Sequence, residues 1–148
     1  MYDPNEALKL KNQLCFPLYA AARKVVAAYT PYLKPLGLTY TQYITFMVLW
    51  EKDELSVSEI CERLMLDSGT VTPLLKKMEA SGWVERRRSK EDERSVRIYL
   101  TESGRAMKET AADIPLKIGC CISLEAEDAK RLYGLLYKLL AQEIHVEE

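Results

Sequence analysis

The chain has 148 residues, of which 48% are apolar and 29% charged, a composition typical of one globular domain with its own core. No apolar run reaches the roughly 18 residues of a membrane span, and the N-terminus lacks a basic leader, so a cytoplasmic protein without a membrane partner is expected. The net charge of −1 excludes a polyanion-binding surface over the whole molecule, and any nucleic-acid surface therefore has to be local.

The chain has four cysteines and one histidine. Cys15, Cys61, Cys120 and Cys121 show no CxxC spacing, and His145 lies near the C-terminus, so no metal site is expected. Because nothing in the sequence indicates secretion, the thiols are expected to be free. No motif of a cofactor site is recognisable, and we expect no cofactor.

The first clear element is an apolar helix, predicted from about Pro17 to Tyr29. Proline suits a first helical turn, and the dipeptide Thr30-Pro31 indicates an exit from the helix. Cys15 then lies just ahead of the helix or within its first turn, where the helix dipole and unpaired amides favour a negative charge. A second helix is predicted to follow Thr39.

Two short amphipathic helices come next. Residues 56–64 have serine caps and an apolar face, and residues 70–80 have apolar side chains at helical spacing, with Gly82 as a C-terminal stop. The segment 67–69 is predicted to be the turn between them. Two short helices joined by a turn that contains glycine form a helix-turn-helix.

The second of these helices has an outward face of small hydroxyls and two ammonium groups, without a carboxylate. Such a face can enter a major groove without repelling phosphates, although an ordinary solvated helix face has the same composition. The candidate DNA-contacting residues of the turn and the helix are Ser68, Thr70, Thr72, Pro73, Lys76 and Lys77.

A predicted hairpin follows and favours DNA binding. Residues 83–88 and 95–100 are β-like runs, and residues 89–94 form a polar loop between them. A hairpin directly after a helix-turn-helix is typical of a wing. An arginine near the tip of a wing suits the narrow, strongly negative minor groove, and Arg94 has that position.

The hairpin contributes further candidate contacts, Arg86 and Lys90. Asp92 is expected to orient Arg94 or Arg88 through an ion pair. From residue 76 to residue 97 there are eight basic side chains against five acidic ones, whereas the segment from residue 122 onward has three basic and six acidic side chains. The middle of the chain is therefore the electropositive part.

After the hairpin, a helix is predicted from Thr101 to about Asp113, and Pro115 interrupts the pattern. The last helix carries a long apolar stripe from Leu132 to Ile144. This stripe and the apolar first helix give the two ends of the chain more apolar surface than the core of a single domain needs. We therefore expect a homodimer that packs through both termini.

These elements predict a mainly α fold, a winged helix-turn-helix with a small β-hairpin wing, dimerised through its N- and C-terminal helices. We expect one domain over residues 1–148. Within it, residues 5–34 and 115–146 are expected to form the dimerisation helices, and residues 38–112 the DNA-binding winged helix-turn-helix.

The order of the elements resembles the MarR family of dimeric bacterial regulators. Residues 66–79 and 86–95 are similar to those of the organic hydroperoxide resistance regulators, and residues 12–19 around Cys15 add to this likeness. The resemblance implies a homodimeric transcriptional repressor rather than an enzyme. It also implies that this repressor binds a pseudo-palindromic operator in double-stranded DNA and releases it when organic hydroperoxides oxidise Cys15.

The resemblance further implies that Tyr29 and Tyr40 hydrogen-bond the sulfur of Cys15, with Tyr19 as a further candidate. Peroxide attack requires a thiolate, whereas an ordinary cysteine with a pKa of about 8.5 is mostly protonated at neutral pH. Cys15 and Tyr29 are fourteen residues apart, about 21 Å along a straight helix. If the two touch, Tyr29 comes from the other subunit, and the sensor lies at the dimer interface.

Attack by the Cys15 thiolate on a hydroperoxide gives a sulfenic acid, which condenses with a second thiol. The resemblance implies a cysteine near the C-terminal helix of the other subunit, here Cys120 or Cys121, of which Cys120 is preferred. A bond between these two neighbours is disfavoured by ring strain. A mixed disulfide with a low-molecular-weight thiol stays open, and Cys61 is expected to be an inert core residue.

The apolar surroundings of Cys15 favour lipid-like or aryl peroxides over hydrogen peroxide as the signal. Two other functions compete with this interpretation. One is a MarR-type regulator that an aromatic or phenolic ligand releases from DNA by binding in the dimer cleft. The other is a thiol peroxidase, which is disfavoured because no catalytic motif is recognisable and the DNA-reading unit is complete.

Overall fold

The computed structural model describes residues 3–88 and 95–142, in which eight α-helices accompany a small three-stranded antiparallel sheet. The helices are α1 (Pro4–Ala7), α2 (Cys15–Leu33), α3 (Tyr40–Glu51), α4 (Val57–Leu64), α5 (Ser68–Ala80), α6 (Glu102–Ala111), α7 (Ile114–Cys121) and α8 (Ala126–Leu140). The strands are β1 (Leu55–Ser56), β2 (Val84–Arg88) and β3 (Val96–Leu100). The predicted mainly α fold with a small wing is confirmed.

Helix α2 is longer than predicted, since it begins at Cys15 and runs through Pro31 to Leu33. The predicted exit at Thr30-Pro31 is wrong. A proline has a backbone φ that a helix tolerates, although it removes one backbone hydrogen bond. Leu33, two residues beyond the proline, is buried in the core, and its burial favours a further turn against α3 and α7.

The helix starts in the middle of the chain follow from local capping. Thr39 and Ser56 each form a capping box with the residue three positions later, Gln42 and Glu59 respectively. Each box satisfies two backbone N–H groups that a helix start leaves without partners. These two starts, at α3 and α4, are the ones that the sequence predicts.

The turn of the helix-turn-helix differs from the prediction. Asp67 is the N-cap of α5, and Ser68 and Gly69 already belong to its first turn, so the segment 67–69 is not the turn. The left-handed residue that ends α4 is Met65, with a φ of 53°. The sequence pattern did not predict that α4 ends at Met65, because a methionine rarely adopts the left-handed conformation. The stop after α5 is as predicted, since Gly82 has a φ of 73°.

The sheet has the strand order β1–β3–β2 with antiparallel neighbours throughout. In the wing, β2 pairs with β3 from Val84 opposite Leu100 to Arg88 opposite Val96, as the two β-like runs predict. Strand β1 is an addition, pairing Leu55 with Ile98. A two-residue strand shows no alternation, which is why the sequence does not indicate it.

The core lies between α3, α4, α5 and the sheet. Its aromatic part is Phe46, whose ring stacks on Trp50 at 5.1 Å and packs against Trp83 at 5.6 Å between ring centroids. The Trp50 indole N–H donates to the carbonyl of Gly104 at 3.0 Å. A Cβ on Gly104 would lie 2.1 Å from the Trp83 carbonyl oxygen, so only glycine allows α6 to approach the wing this closely. The helix-turn-helix and the wing thus pack on one common core.

Two apolar surfaces of the chain remain uncovered. The N-terminal half of α2 exposes Phe16, Leu18 and Tyr19, and α8 has no buried residue. The exposed apolar side chains of α8 are Leu132, Tyr133, Leu135, Tyr137 and Leu140. Within the described residues, none of the helices combines the length and the apolarity that a membrane crossing needs.

Candidate functional site

Helix α5 separates its side chains into a buried and an exposed side. Val71, Leu74, Leu75 and Met78 are buried. The predicted DNA-contacting side chains face away from the core, with Thr72 half-buried and the other five, Ser68, Thr70, Pro73, Lys76 and Lys77, exposed. The structure therefore brings the predicted set together on one helix surface.

Thr70 also belongs to the N-cap of α5. Its backbone N–H donates to Asp67 Oδ1 at 2.9 Å, and its hydroxyl donates to Asp67 Oδ2 at 2.9 Å. These two hydrogen bonds, the hydroxyl bond being the stronger cause, lower the pKa of Asp67. Because the hydroxyl hydrogen is used in the cap, Thr70 has only acceptor lone pairs left for any further hydrogen bond.

Arg86 is held by the end of α5. Its backbone N–H donates to Glu79 Oε1 at 3.0 Å, and its guanidinium Nη1 lies 3.7 Å from Glu79 Oε2. This arrangement ties the base of the wing to the helix that precedes it. Arg86 therefore positions the wing, in addition to any contact it makes with a phosphate. The other wing candidates, Lys90, Asp92 and Arg94, lie outside the described residues.

Cys15 is the first residue of α2, and its side chain is exposed. Tyr19 follows one turn later on the same helix face. The guanidinium of Arg23, a further turn along, lies 5.5 Å from the centre of the Tyr19 ring and donates to its hydroxyl at 3.4 Å. The sequence analysis did not name Arg23 as a site residue. Its position four residues after Tyr19 on the same helix could have indicated this contact.

Tyr29 and Tyr40 lie together, with ring centroids 4.9 Å apart in an edge-to-face arrangement. Tyr43, which the sequence did not indicate as a site residue, joins them at 5.8 Å from Tyr29. Burial, and to a smaller extent Tyr29, raises the pKa of Tyr40, and burial also raises that of Tyr43. These phenols therefore keep their protons at neutral pH and remain hydrogen-bond donors.

Cys120 and Cys121 are the last two residues of α7, and both thiols are exposed. The Cys121 sulfur lies 3.7 Å from the hydroxyl of Tyr32, and this contact raises the pKa of that phenol. The ammonium of Lys117 lies 5.7 Å from the centre of the same ring. Tyr32 is a further residue that the sequence did not indicate.

The cysteine and the tyrosines of α2 lie at its two ends. Cys15 and Tyr19 lie at its start, whereas Tyr29 and Tyr32 lie near its end. Because Cys15 and Tyr29 lie fourteen positions apart on one continuous helix, about 21 Å separates them within one chain. Cys61 is half-buried against the core. In the described part of the chain, no group of three or more metal-ligating side chains lies together.

Comparisons with known proteins identify the family to which this chain belongs. The family model for the transcriptional regulator SarA/Rot matches residues 27–111. The organic hydroperoxide resistance transcriptional regulator of Bacillus subtilis (strain 168) is 50% identical over 140 residues, which cover 95% of each chain.

Solved structures of AbfR, a protein of Staphylococcus epidermidis, are also similar. Reduced AbfR bound to DNA is 35% identical, with a TM-score of 0.76 over 92% of this chain and 94% of its own. Disulfide-formed AbfR is 36% identical, with a TM-score of 0.62 over 92% of both chains. On these similarities along nearly the whole sequence, the chain belongs to the MarR family of transcriptional regulators, in the subgroup of organic hydroperoxide resistance regulators.

Proposed function

We propose that this protein is a homodimeric repressor that binds an operator in double-stranded DNA, senses organic hydroperoxides through Cys15 and releases the operator when that thiol is oxidised. The observation that carries the proposal is the exposed thiol at the first residue of α2, on a helix half whose apolar side chains are also exposed. The exposed basic surface of α5 supplies the DNA-reading part.

The uncovered apolar surfaces support the dimer. Exposed leucines and aromatic side chains on the first half of α2 and along α8 favour burial against a second copy. We assign dimerisation to residues 5–34 and 115–146, and DNA reading to residues 38–112. In an antiparallel pair of α2 helices, each Cys15 lies beside the partner subunit's Tyr29, so that the two can touch although 21 Å separates them within one chain.

The surroundings of Cys15 support its role as the reactive thiol. The first turn of a helix favours a thiolate through its unpaired N–H groups and its dipole. Tyr19 accepts a hydrogen bond from Arg23, which leaves its own hydroxyl hydrogen free for a sulfur one turn away. The partner subunit's Tyr29 and Tyr40 would add further phenol donors.

The first step oxidises the sulfur. The Cys15 thiolate attacks one peroxide oxygen of ROOH, an S–O bond forms and the O–O bond breaks, and the leaving alkoxide takes up a proton to become ROH. Cys15 becomes a sulfenic acid. The sulfur is oxidised by two electrons, and the peroxide is reduced by two.

The second step forms a disulfide with the other protomer. The thiol of Cys121 attacks the sulfenic sulfur of Cys15, an S–S bond forms and water leaves. The contact with Tyr32 supports Cys121 rather than the sequence-preferred Cys120, because Tyr32 lies about one helical turn from Tyr29 on α2. A low-molecular-weight thiol is the alternative partner in this step.

The disulfide acts on DNA through the dimer geometry. Two α5 helices fit successive major grooves only when they are about 34 Å apart, so a pseudo-palindromic operator matches one arrangement of the two protomers. A covalent bond between the subunits changes that arrangement. AbfR, which is 35–36% identical to this chain, has been solved both in a reduced form bound to DNA and in a disulfide form, which supports a disulfide-forming thiol in this chain as well.

The test is the variant Cys15→Ser, studied with purified dimer and operator DNA. We expect it to keep DNA binding and to lose release by cumene hydroperoxide, because the serine hydroxyl does not reduce peroxides. Cys61→Ser is the matched control and should respond like the wild type. Release of the Cys15→Ser protein by peroxide would contradict the proposal, and release by a phenolic compound alone would favour the ligand-sensing alternative.

Two further assignments rest on the same proposal. A repressor that acts on chromosomal DNA works in the cytoplasm. It consumes one peroxide for each oxidised Cys15 and is a regulator rather than a thiol peroxidase. Sustained hydroperoxide turnover with dithiothreitol at a rate typical of enzymes, on the order of 1 s⁻¹ or faster, would contradict the second assignment.

A further inference from the structure

Thr70 lies at the start of α5, where its side chain can reach DNA. It is the third residue of this helix, which follows the N-cap Asp67, and its side chain is exposed. The second helix of a helix-turn-helix lies in the major groove, and the side chains near its N-terminus contact base edges. The Thr70 hydroxyl therefore has a position from which such a helix reads a base.

Asp67 fixes the direction of the Thr70 hydroxyl. The two oxygens of its carboxylate accept from the backbone N–H and from the hydroxyl of Thr70, both at 2.9 Å. The hydroxyl bond, followed by the backbone bond, lowers the pKa of Asp67, so the carboxylate is ionised at neutral pH and only accepts. The hydroxyl hydrogen therefore points at Asp67. A Cβ on Gly69 would lie 2.9 Å from Asp67 Oδ1, so glycine leaves room for the carboxylate here.

The lone pairs of the Thr70 oxygen remain for a base. Among the described residues, this oxygen has no hydrogen-bond partner other than Asp67. In the major groove, adenine N6 and cytosine N4 are donors, whereas guanine O6 and thymine O4 are acceptors. An oxygen that only accepts can bond to the first two bases and meets the other two lone pair against lone pair. A freely rotating hydroxyl would bond to all four, since it can donate or accept.

We propose that Thr70 determines specificity by preferring adenine or cytosine over guanine or thymine at one position of each operator half-site, and that Asp67 is the positioning residue that imposes this preference. The inference rests on the operator binding of the proposed function and deepens it, because it names the class of base that one side chain reads. It does not depend on the chemistry of Cys15, since the two hydrogen bonds are present without any oxidation.

The experiment starts from a duplex that the reduced wild-type dimer selects out of a pool with a randomised core of about 30 base pairs, three helical turns. Each position of this duplex is then changed to the other three base pairs. Fluorescence anisotropy at constant salt gives the dissociation constants. At one position of each half-site, replacing adenine or cytosine by guanine or thymine should weaken binding roughly three- to tenfold. Exchanging adenine and cytosine there should have a smaller effect.

The variant Thr70→Val keeps the shape of the side chain and lacks the hydroxyl oxygen. It identifies the position that this side chain reads, because only there should the preference for adenine or cytosine disappear. The backbone N–H of residue 70 still bonds to Asp67 in this variant, so we expect α5 to keep its N-cap. The preferences at all other positions should stay those of the wild type.

The variant Asp67→Asn tests the role of the carboxylate. Asparagine caps a helix as well as aspartate does. With its oxygen on the backbone N–H, its amide nitrogen donates to the Thr70 oxygen and frees the hydroxyl hydrogen for the DNA. We expect the preference at the Thr70 position to change to guanine or thymine, by roughly threefold or more. A residue that only stabilises the helix start would not invert a base preference.

The matched control is Glu62→Gln, which makes the same carboxylate-to-amide change at an exposed residue of α4. Within the described residues, Glu62 forms no salt bridge. Removing a negative charge favours binding to all sequences alike, because DNA is a polyanion. The control should therefore keep the wild-type preference for adenine or cytosine.

A wild-type preference for guanine or thymine at the Thr70 position would overturn the inference. So would a Thr70→Val variant with wild-type preferences at every position, or an Asp67→Asn variant that keeps the preference for adenine or cytosine. In each of these cases, selective binding by the wild type would leave the proposed function intact. If the reduced wild type selected no duplex at all, operator binding itself would fail.

Discussion

At the residue scale, the difference between the two thiols at the end of α7 is their surroundings. Cys120 and Cys121 are neighbours and both are exposed, yet among the described residues only Cys121 has a hydrogen-bond contact through its sulfur, with the Tyr32 hydroxyl at 3.7 Å. This contact holds the Cys121 sulfur against α2. The pair thus provides its own matched control.

We predict that Cys121→Ser abolishes the peroxide-induced covalent dimer and that Cys120→Ser retains it. The measurement is non-reducing gel electrophoresis after treatment with one equivalent of cumene hydroperoxide, with the cross-linked peptides assigned by mass spectrometry. Tyr32→Phe should slow the bond formation, because the sulfur loses the hydroxyl contact that positions it. A covalent dimer that persists in Cys121→Ser would rule out this cysteine as the second thiol.

At the scale of single elements, caps determine where the helices of the DNA-reading unit begin. Ser56 accepts from the Glu59 backbone N–H at 3.1 Å, and the Glu59 carboxylate accepts from the Ser56 backbone N–H at 2.8 Å. The backbone hydrogen bond is the main reason that the pKa of Glu59 is lowered. Folding therefore stabilises the charged form of the Glu59 carboxylate relative to its protonated form.

We predict that Ser56→Ala lowers the free energy of unfolding by about 1 kcal/mol, the usual cost of a lost N-cap. Urea denaturation measures this change. Ser58→Ala, an exposed position of the same helix that is not the cap, should stay close to the wild type. Equal losses in both variants would contradict the role of the capping box.

The lowered pKa of Glu59 also predicts a pH dependence. Its stabilising effect is complete above the ordinary glutamate pKa of about 4.3 and is lost as the pH falls through the lower pKa of the folded state. The difference in unfolding free energy between wild type and Glu59→Ala should therefore be largest near neutral pH and shrink in acid. A difference that stays constant from neutral pH to about pH 3 would show that the carboxylate charge is not involved.

At the scale of the whole molecule, the proposed sensing site would be complete only in the proposed dimer. One chain separates Cys15 from Tyr29 by the length of α2, and it leaves the apolar side of α8 without any buried residue. The proposed dimer explains both features, since a second copy would cover the apolar surfaces and supply the partner tyrosines. Dimerisation and peroxide sensing are therefore expected to fail together.

We predict that Leu135→Glu, which introduces a charge on the exposed side of α8, shifts the protein towards monomers and slows oxidation of Cys15. Sedimentation velocity gives the oligomeric state, and dimedone trapping gives the rate. Met47→Glu is the control, because it makes the same kind of change at an exposed apolar residue of α3. A dimeric Leu135→Glu protein with normal oxidation would place the interface elsewhere.

Local patterns in the sequence determined the winged helix-turn-helix. Helical spacing, the capping residues Thr39 and Ser56, and the alternation in β3 act between near neighbours, so they predict the elements without knowledge of the rest of the fold. They also placed Cys15 at a helix start. For the same reason they missed the extension of α2 past Pro31 and the left-handed Met65, which depend on what the neighbouring elements bury.

The tertiary structure alone decided which side chains meet across the chain. The contact of Tyr32 with Cys121 joins positions 89 residues apart, and the packing of Tyr40 on Tyr29 joins two helices at the edge of a cavity that Lys34 also lines. Such contacts result from how whole helices pack on a common core. No spacing within one segment encodes them, because the distance between two side chains in space is set by the packing of their elements and not by their separation along the chain.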